Sequence, residues 1–386
     1  MHVRRKLLTF GLIVAGFLAL YAVTAQRGLG WGDSGEFQHR ILDCAGGLLE
    51  GCDSFATAHP PYVLLAKLMC STPYHVTFIS CLFGALAVGA FYLCSRQIAL
   101  TLIFGLSHAV WWLSCVAEVY TMSLTFVALE TLCLLSYLRN RRLPWLIGLF
   151  FLNALHLNLH NIALLSLPVY AVLLVRDGRV NGVMRSLLPI LAWLAGAAYW
   201  LQALVVRGFA DVLTGSYGAQ ATGILPENWM IAAFNLALAS MSFFVPLALA
   251  WWNRSLGSRR ELAGRGFLAA LLIVHFLFFV RYFIISQFTF VLPSLFFAYL
   301  LASAFELRRD RAIALAVIQL LLPLMAWQVL DQLPRPEFYA RHKYRNDAAY
   351  FALPWKFADD SADRYAAELG GVWNGYPDCG RQEGAK

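Results

Sequence analysis

Apolar stretches of near-membrane length follow one another along this chain, separated by short gaps that hold most of its polar residues. A helix needs about 20 apolar residues to cross the roughly 30 Å hydrocarbon layer. Eleven stretches are candidates, at about 7–25, 75–94, 98–115, 119–138, 144–157, 160–175, 186–206, 229–251, 267–283, 285–305 and 312–330. The fifth is short for a crossing and the sixth is marginal. They predict a broken pair that meets below the membrane surface, where irregular backbone is tolerated only against protein or a water-filled cavity. The expected fold class is an all-α integral membrane protein, a polytopic bundle of about eleven transmembrane helices.

The gaps alternate in charge. Seventeen basic residues, in the groups Arg4-Arg5-Lys6, Arg96, Arg139/Arg141/Arg142, Arg176/Arg179/Arg185, Arg254/Arg259/Arg260/Arg265 and Arg308/Arg309/Arg311, fall at every second gap. The opposite gaps before residue 331 hold five: Arg27, Arg40, Lys67, Arg207 and Arg281. Basic residues accumulate on the cytoplasmic side, so the N-terminus is expected inside and the 26–74 loop outside. Arg4-Arg5-Lys6, the following apolar run and Val23-Thr24-Ala25 also fit a cleavable signal peptide. A run of about 18 residues is long for that purpose and favours a retained first helix.

Composition sharpens this reading. Of 386 residues 60% are apolar and only 13% charged, against about 25% charged in a soluble domain; mean hydropathy is +0.62. A soluble enzyme, a disordered chain and a nucleic-acid binder are excluded. The net charge of +8 is scattered between apolar runs and forms no basic patch. Residues 331–386 carry 17 charged residues and the first 330 carry 35, which divides the chain into a membrane body, 1–330, and a polar extracytoplasmic tail, 331–386. Cys70, Cys81, Cys94, Cys115 and Cys133 lie in or near apolar segments, as small core residues do. Cys44 and Cys52 share the outer loop and are candidates for a disulfide.

The candidate chemistry gathers on the outer side. The 26–74 loop reads Gly30-Trp31-Gly32-Asp33-Ser34-Gly35-Glu36-Phe37, then Ala58-His59-Pro60-Pro61-Tyr62. Glycines beside a carboxylate allow close approach of backbone to a ligand. Asp33 and Glu36 also have the spacing of a helix capping box, and Pro60-Pro61 marks a helix start. Capping and catalysis are compatible, since a capping carboxylate is held rigidly. Glu118 and Tyr120 stand at the outer start of the fourth stretch. His156, Asn158, His160 and Asn161 occupy the break between the fifth and sixth. Arg281, followed by Tyr282, interrupts the apolar run 267–305; it is either a functional cation or a snorkelling side chain. Glu130, in mid-span, reads as a structural partner for another buried polar group. No metal-ligand spacing is present, so a divalent metal is possible but not indicated.

These motifs resemble the protein O-mannosyltransferase-like membrane family. Asp33-Ser34-Gly35-Glu36 is similar to its outer-loop acidic motif and His59-Pro60-Pro61 to its His-Pro-Pro motif. Ala117-Glu118-Val119-Tyr120 looks like its Ala-Glu-Val-Tyr motif. His160 with Pro168 resembles its Asn-His segment, and Arg281-Tyr282 with Pro293 its Arg-Tyr segment. The chain departs from the pattern at Tyr62-Val63-Leu64 and at Asn158-Leu159-His160-Asn161.

The resemblance implies a GT-C-like glycosyltransferase with a long first extracytoplasmic loop, using a polyprenyl-phosphate-linked sugar as donor. It implies Asp33 as general base with inversion, and Glu36, His59, Glu118, Tyr120, His160, Asn161, Arg281 and Tyr282 as substrate-binding residues. The acceptor would be a hydroxyl on protein, lipid or glycan, at the outer face of a plasma membrane such as a bacterial inner membrane. A lipid or solute transporter without transferase activity is the competing class. It would place polar sites at mid-membrane and repeat its halves, and no internal repeat is visible here.

Overall fold

The computed structural model describes residues 2–30, 33–42, 55–215, 226–252, 264–282, 287–305, 307–332 and 347–356. No strand occurs among them. The Cys44–Cys52 pairing and the tail beyond 356 lie outside the described residues. Helices α1 (His2–Thr24), α4 (Pro73–Ser95) and α7 (Tyr120–Asn140) coincide with predicted crossings, and the last two are largely buried inside the bundle. The outer loop adds two short helices, α2 (Asp33–Leu42) and α3 (Pro60–Met69). Thr72 caps α4 through its side chain and Pro73 occupies the first turn. Arg96 and Arg141 close α4 and α7 in the left-handed conformation, at φ 60° and 52°. A cation at a helix C-terminus suits the macrodipole.

Every predicted stretch coincides in its described residues with a helix or a helix pair, but among the described residues five helices are individually long and apolar enough to cross a membrane. They are Arg4–Thr24, Pro73–Ser95, Tyr120–Asn140, Ala232–Trp252 and Arg309–Val329, with a bent pair as a sixth. The chain is an integral membrane protein of several apolar helices. The third stretch is divided into α5 (Ile98–Gly105) and α6 (His108–Ser114). The fifth and sixth form α8 (Leu143–Leu159) and α9 (Leu167–Asn181), joined by a 3₁₀ turn over Asn161–Leu165.

The seventh stretch, expected as one helix over 186–206, is two: α10 (Val183–Gly196) and α11 (Ala198–Arg207), bent by 60°. Two local causes account for the bend. Gly196 lies directly on α8, where a Cβ would stand 2.8 Å from the Ala154 Cβ. Asn158, buried on α8, donates to the Gly196 carbonyl at 2.7 Å and accepts from the Trp200 N–H at 2.9 Å. One side chain thus takes up the backbone groups a bend releases, which lipid cannot do.

Beyond α12 (Phe209–Leu213), the remaining described helices are α13 (Pro226–Trp252), α14 (Arg265–Arg281), α15 (Val291–Ala302), α16 (Arg309–Gln332) and α17 (Asp347–Ala352). A 3₁₀ turn over Gln287–Phe290 precedes α15. Residues 347–356, within the polar tail, pack back onto the body. Trp112 Nε1 donates to the Tyr350 carbonyl and His108 Nε2 to the Phe351 carbonyl, each at 2.7 Å. The Lys356 N–H reaches the Thr24 carbonyl at 2.6 Å. The Lys356 ammonium is buried, 4.6 Å from the Tyr350 ring centroid and 5.2 Å from that of Trp112.

Asn158→Leu keeps the volume but strands the Gly196 carbonyl and the Trp200 N–H. We expect a loss of about 1–3 kcal/mol of stability, the usual penalty for a buried unsatisfied polar group, read as a lower thermal midpoint in detergent. An unchanged midpoint would show that the bend needs no polar support.

Candidate active site

The 26–74 segment supplies the acidic part of the site. Asp33 and Glu36 both lie in the first turn of α2, where the helix dipole favours negative charge. The helix begins at Asp33, while the preceding Gly32 lies outside the described residues. Gly30 packs on the same turn: a Cβ there would stand 2.6 Å from the Ser34 Cβ. Two buried side chains fasten α2. Gln38 accepts from the Gly30 N–H at 2.6 Å and donates to the Pro73 carbonyl at 3.0 Å. Arg40 donates to the Ala58 carbonyl at 2.9 Å, its guanidinium carbon 5.1 Å from the Phe37 ring centroid.

From the bundle side comes Glu118, in the segment before α7. Its carboxyl accepts from Ser34 Oγ at 3.0 Å. Its backbone N–H donates to Ser80 Oγ at 3.0 Å, and Ser80 Oγ donates to its carbonyl at 2.9 Å. The second carboxyl oxygen, Oε2, is buried without a partner. Burial pushes the Glu118 carboxyl well above the ordinary range, and the negative neighbours Asp33 and Glu36 add to the shift. Asp33 is exposed, yet the loss of surrounding water still lifts its carboxyl.

An aromatic wall stands beside the carboxyls. His59 and His160 stack with ring centroids 5.1 Å apart and an interplanar angle of 20°. Tyr120 lies 5.4 Å from His160, and Phe290 lies 5.3 Å from Tyr120 and 5.8 Å from His160. Tyr282 joins through Phe290 at 5.2 Å. Thr289 is hydrogen-bonded to Tyr120.

Hydrogen-bond partners fix which ring nitrogens carry hydrogen. His59 Nδ1 faces the Leu159 carbonyl at 2.8 Å. A carbonyl only accepts, so Nδ1 carries the hydrogen and Nε2 keeps a lone pair. Burial, with the nearby Arg40 cation, lowers the His59 pKa to about 4, so this ring is neutral. His160 is the reverse case. Its Nδ1 accepts from the Ile162 N–H at 3.1 Å, which puts the hydrogen of the neutral ring on Nε2. The stacked pair therefore offers one acceptor and one donor. His59 is held at φ 46° as the N-cap of α3. That is an uncommon conformation for a side chain with a Cβ, which the Arg40–Ala58 bond helps hold.

The structure thus brings together Asp33, Glu36 and Glu118, and beside them His59, His160, Tyr120 and Tyr282. Asn161 turns elsewhere: its amide donates to the Val212 carbonyl at 2.6 Å and accepts from Trp200 Nε1 at 2.9 Å. Arg281 ends α14 on an exposed surface next to Tyr282. Ser34, Arg40, Thr289 and Phe290 join the site without having been singled out in the sequence. Ser34 stood inside the quoted motif, and Arg40 was visible as an outer-gap cation. Thr289 and Phe290 carried no signal in an apolar run. Among the described residues no group of three or more His, Cys, Asp or Glu is arranged to hold a metal.

Residues 94–182 match the family model of the protein O-mannosyl-transferase TMEM260 N-terminal domain. That stretch holds Glu118, Tyr120 and His160 but not Asp33 or His59. No curated protein matches the chain. Among solved structures the fold is similar to ArnT from Cupriavidus metallidurans bound to undecaprenyl phosphate, with a TM-score of 0.58 and 18% identity over 89% of this chain and 69% of that one. The apo state of the same protein gives a TM-score of 0.56 and 16% identity over 89% and 68%. The chain therefore has the ArnT fold and O-mannosyltransferase-like sequence across the middle of its body. The motif reading and the match over residues 94–182 agree on O-mannosyltransferase-like sequence there, and the fold similarity extends over most of the chain.

The neutral state of His59 has a direct check. In histidine-labelled protein the His59 ring signals should stay constant from pH 8 to pH 5, well above the pKa of about 4, and move only below. Titration near the ordinary value of about 6.5 would overturn it.

Proposed function

We propose that this protein is a membrane glycosyltransferase that moves a sugar from a polyprenyl-phosphate carrier to an acceptor hydroxyl on the extracytoplasmic face, with inversion. The observation that carries the reading is the convergence of two carboxyls, Asp33 and Glu118, with a stacked histidine pair at one end of the bundle. The ArnT-like fold supports a lipid-linked donor, and the sequence match supports an O-mannosyltransferase-like relation.

The environments of the two carboxyls divide their roles. Glu118 is buried and strongly biased to its neutral acid; Asp33 meets water and is less perturbed. Carboxyls driven apart in this way take different parts in acid–base chemistry. Asp33 is the ionised one and accepts the proton of the acceptor hydroxyl as oxygen attacks the anomeric carbon. The carbon–oxygen bond to the carrier phosphate breaks as the new one forms, on the opposite face, so configuration inverts. A polyprenyl phosphate leaves readily, so no general acid is needed, unlike the hydrolysis of a glycoside.

Charge develops on the departing phosphate. Donors in a water-poor site stabilise it more than the same groups in bulk water. His160, through Nε2–H, and Arg281 are assigned to it. His59, an acceptor at Nε2, suits a sugar hydroxyl, as do Glu36, Glu118 and Tyr120. Tyr282 extends the aromatic wall toward the lipid. Asn161, committed to Val212 and Trp200, serves the scaffold.

Asp33→Asn separates catalysis from structure. Asn serves a helix N-terminus about as well as Asp, so stability and donor affinity should be kept. Turnover of labelled polyprenyl-phosphate sugar should fall by about 10²–10⁴-fold, the range for loss of a general base. Retained turnover in a stable, donor-binding variant would remove Asp33 from the chemistry. Following the label into protein, lipid and glycan fractions identifies the acceptor class. The wild-type rate should rise with pH as Asp33 ionises, its acid limb above the ordinary aspartate value of about 3.9; a profile already flat at that pH contradicts the assignment. Arg281→Gln should weaken donor binding, and Lys should rescue only in part, lacking the planar fork.

A further inference from the structure

Below the candidate site, α7 and α8 enclose a chain of polar side chains that the proposed reaction does not use. Ser123 Oγ is 2.6 Å from His156 Nε2, and His156 Nδ1 is 2.8 Å from Glu130 Oε1. The other Glu130 oxygen accepts from the Tyr170 hydroxyl at 2.9 Å and from Asn153 Nδ2 at 3.3 Å. Asn153 also accepts from Trp193 Nε1 at 3.1 Å. Ser123, Glu130, Asn153 and His156 are all at most 2% exposed. A carboxylate at that depth is expensive and is functional by default.

The arrangement is in ladder form. On α7, Tyr120 and Ser123 are three residues apart and share a face; at the end of α8, His156 and His160 are four apart. The upper rung is the Tyr120–His160 ring contact of 5.4 Å, and the lower rung is the 2.6 Å bond between Ser123 and His156. A second connection runs through Asn153, whose Nδ2 also donates to the Ala163 carbonyl at 3.0 Å. Ala163 lies in the 3₁₀ turn whose Ile162 N–H fixes His160 Nδ1. Glu130 therefore anchors both the helix that delivers His160 and the turn that orients its ring.

A proton wire is not required. Asp33, the proposed base, meets water and can return its proton there directly. Joining the helices is not a sufficient role either, since well-packed apolar side chains do that at no loss of stability. What a hydrogen-bonded carboxylate adds is direction.

We infer that the buried Ser123–His156–Glu130–Asn153 chain is a positioning device for His160, holding its Nε2–H toward the leaving phosphate of the lipid-linked donor. The inference rests on the transferase reading, and Glu130 and Asn153 act only through His160.

A double-mutant cycle tests this on the full chain in lipid nanodiscs, with a labelled polyprenyl-phosphate sugar as probe. Glu130→Gln should lower kcat/KM about tenfold in the wild-type background and less than twofold once His160 is Ala, because residues acting as one unit are not additive. Equal losses in both backgrounds would overturn the inference and leave Glu130 a structural residue. Asn153→Ala keeps the carboxylate and repeats the cycle should Glu130→Gln fail to fold. Ring-nitrogen spectra of labelled histidine give a readout independent of turnover, with the His160 signal assigned by its loss in His160→Ala. That signal should move in Glu130→Gln. If it moves while the wild type transfers no sugar, the transferase reading falls and the positioning stands; if it does not move, the positioning falls whatever the activity.

Discussion

The bond between Ser34 and Glu118 joins two parts of the chain that are 84 positions apart, and the candidate site exists only where they meet. Glu118 is held by two serines through three hydrogen bonds. Ser80 on α4 takes both its backbone groups, and Ser34 on α2 takes one carboxyl oxygen. A membrane helix bundle has little hydrophobic drive to choose among helix registers, because lipid is as apolar as the helices themselves. Polar contacts of this kind fix the register. They also bring Asp33, on an outer-loop helix, to the mouth of a bundle whose walls are set by α4 and α7.

Aromatic rings carry the geometry from there. His59 is fastened by its own Nδ1 to the Leu159 carbonyl and stacked on His160; Phe37 contacts His59 at 5.5 Å from the α2 side. Phe290 closes the opposite side against Tyr120 and Tyr282. Nδ1 of each histidine and the Tyr120 hydroxyl have hydrogen-bond partners, so these rings have few orientations open to them. Restriction of this kind is what allows a neutral imidazole to act as a directed donor, since alignment is settled before substrate arrives.

How much of this was legible in the sequence depends on distance along the chain. Asp33, His59, Glu118 and His160 stood out because alternating charge in the gaps put them on one side and their neighbours formed motifs. The helices were legible from hydropathy, and Pro60-Pro61 marked the start of α3. Pairings were not, yet one followed a simple rule. A tight hairpin turning at residues 141–142 sets 130 opposite 153, which are hydrogen-bonded, and 126 opposite 157, next to the Phe126–His156 stack. Reading Glu130 with that mirror in mind would have found its partners. The bend after Gly196 had no such rule. Its marks are an Ala-Gly-Ala-Ala run, which reads as ordinary helix, and an asparagine on another helix. The turn of Asn161 away from the site was equally hidden, because its partners Trp200 and Val212 lie three and four helices further on.

The contact between Lys356 and Thr24 sets an order of assembly. Thr24 is the last residue of α1, and its carbonyl is one of the orphan acceptors that every helix end leaves. Its partner, the Lys356 N–H, belongs to the last described stretch of the chain. At synthesis rates of about 5–20 residues per second, the first helix waits on the order of tens of seconds for that donor. During the wait, α1 is already joined to α6 by Trp111 Nε1 donating to Thr24 Oγ1 at 3.0 Å, but the ring faces that will meet Trp355 and Tyr350 stand uncovered. The protein is thus completed late, by a loop closed across nearly its whole length.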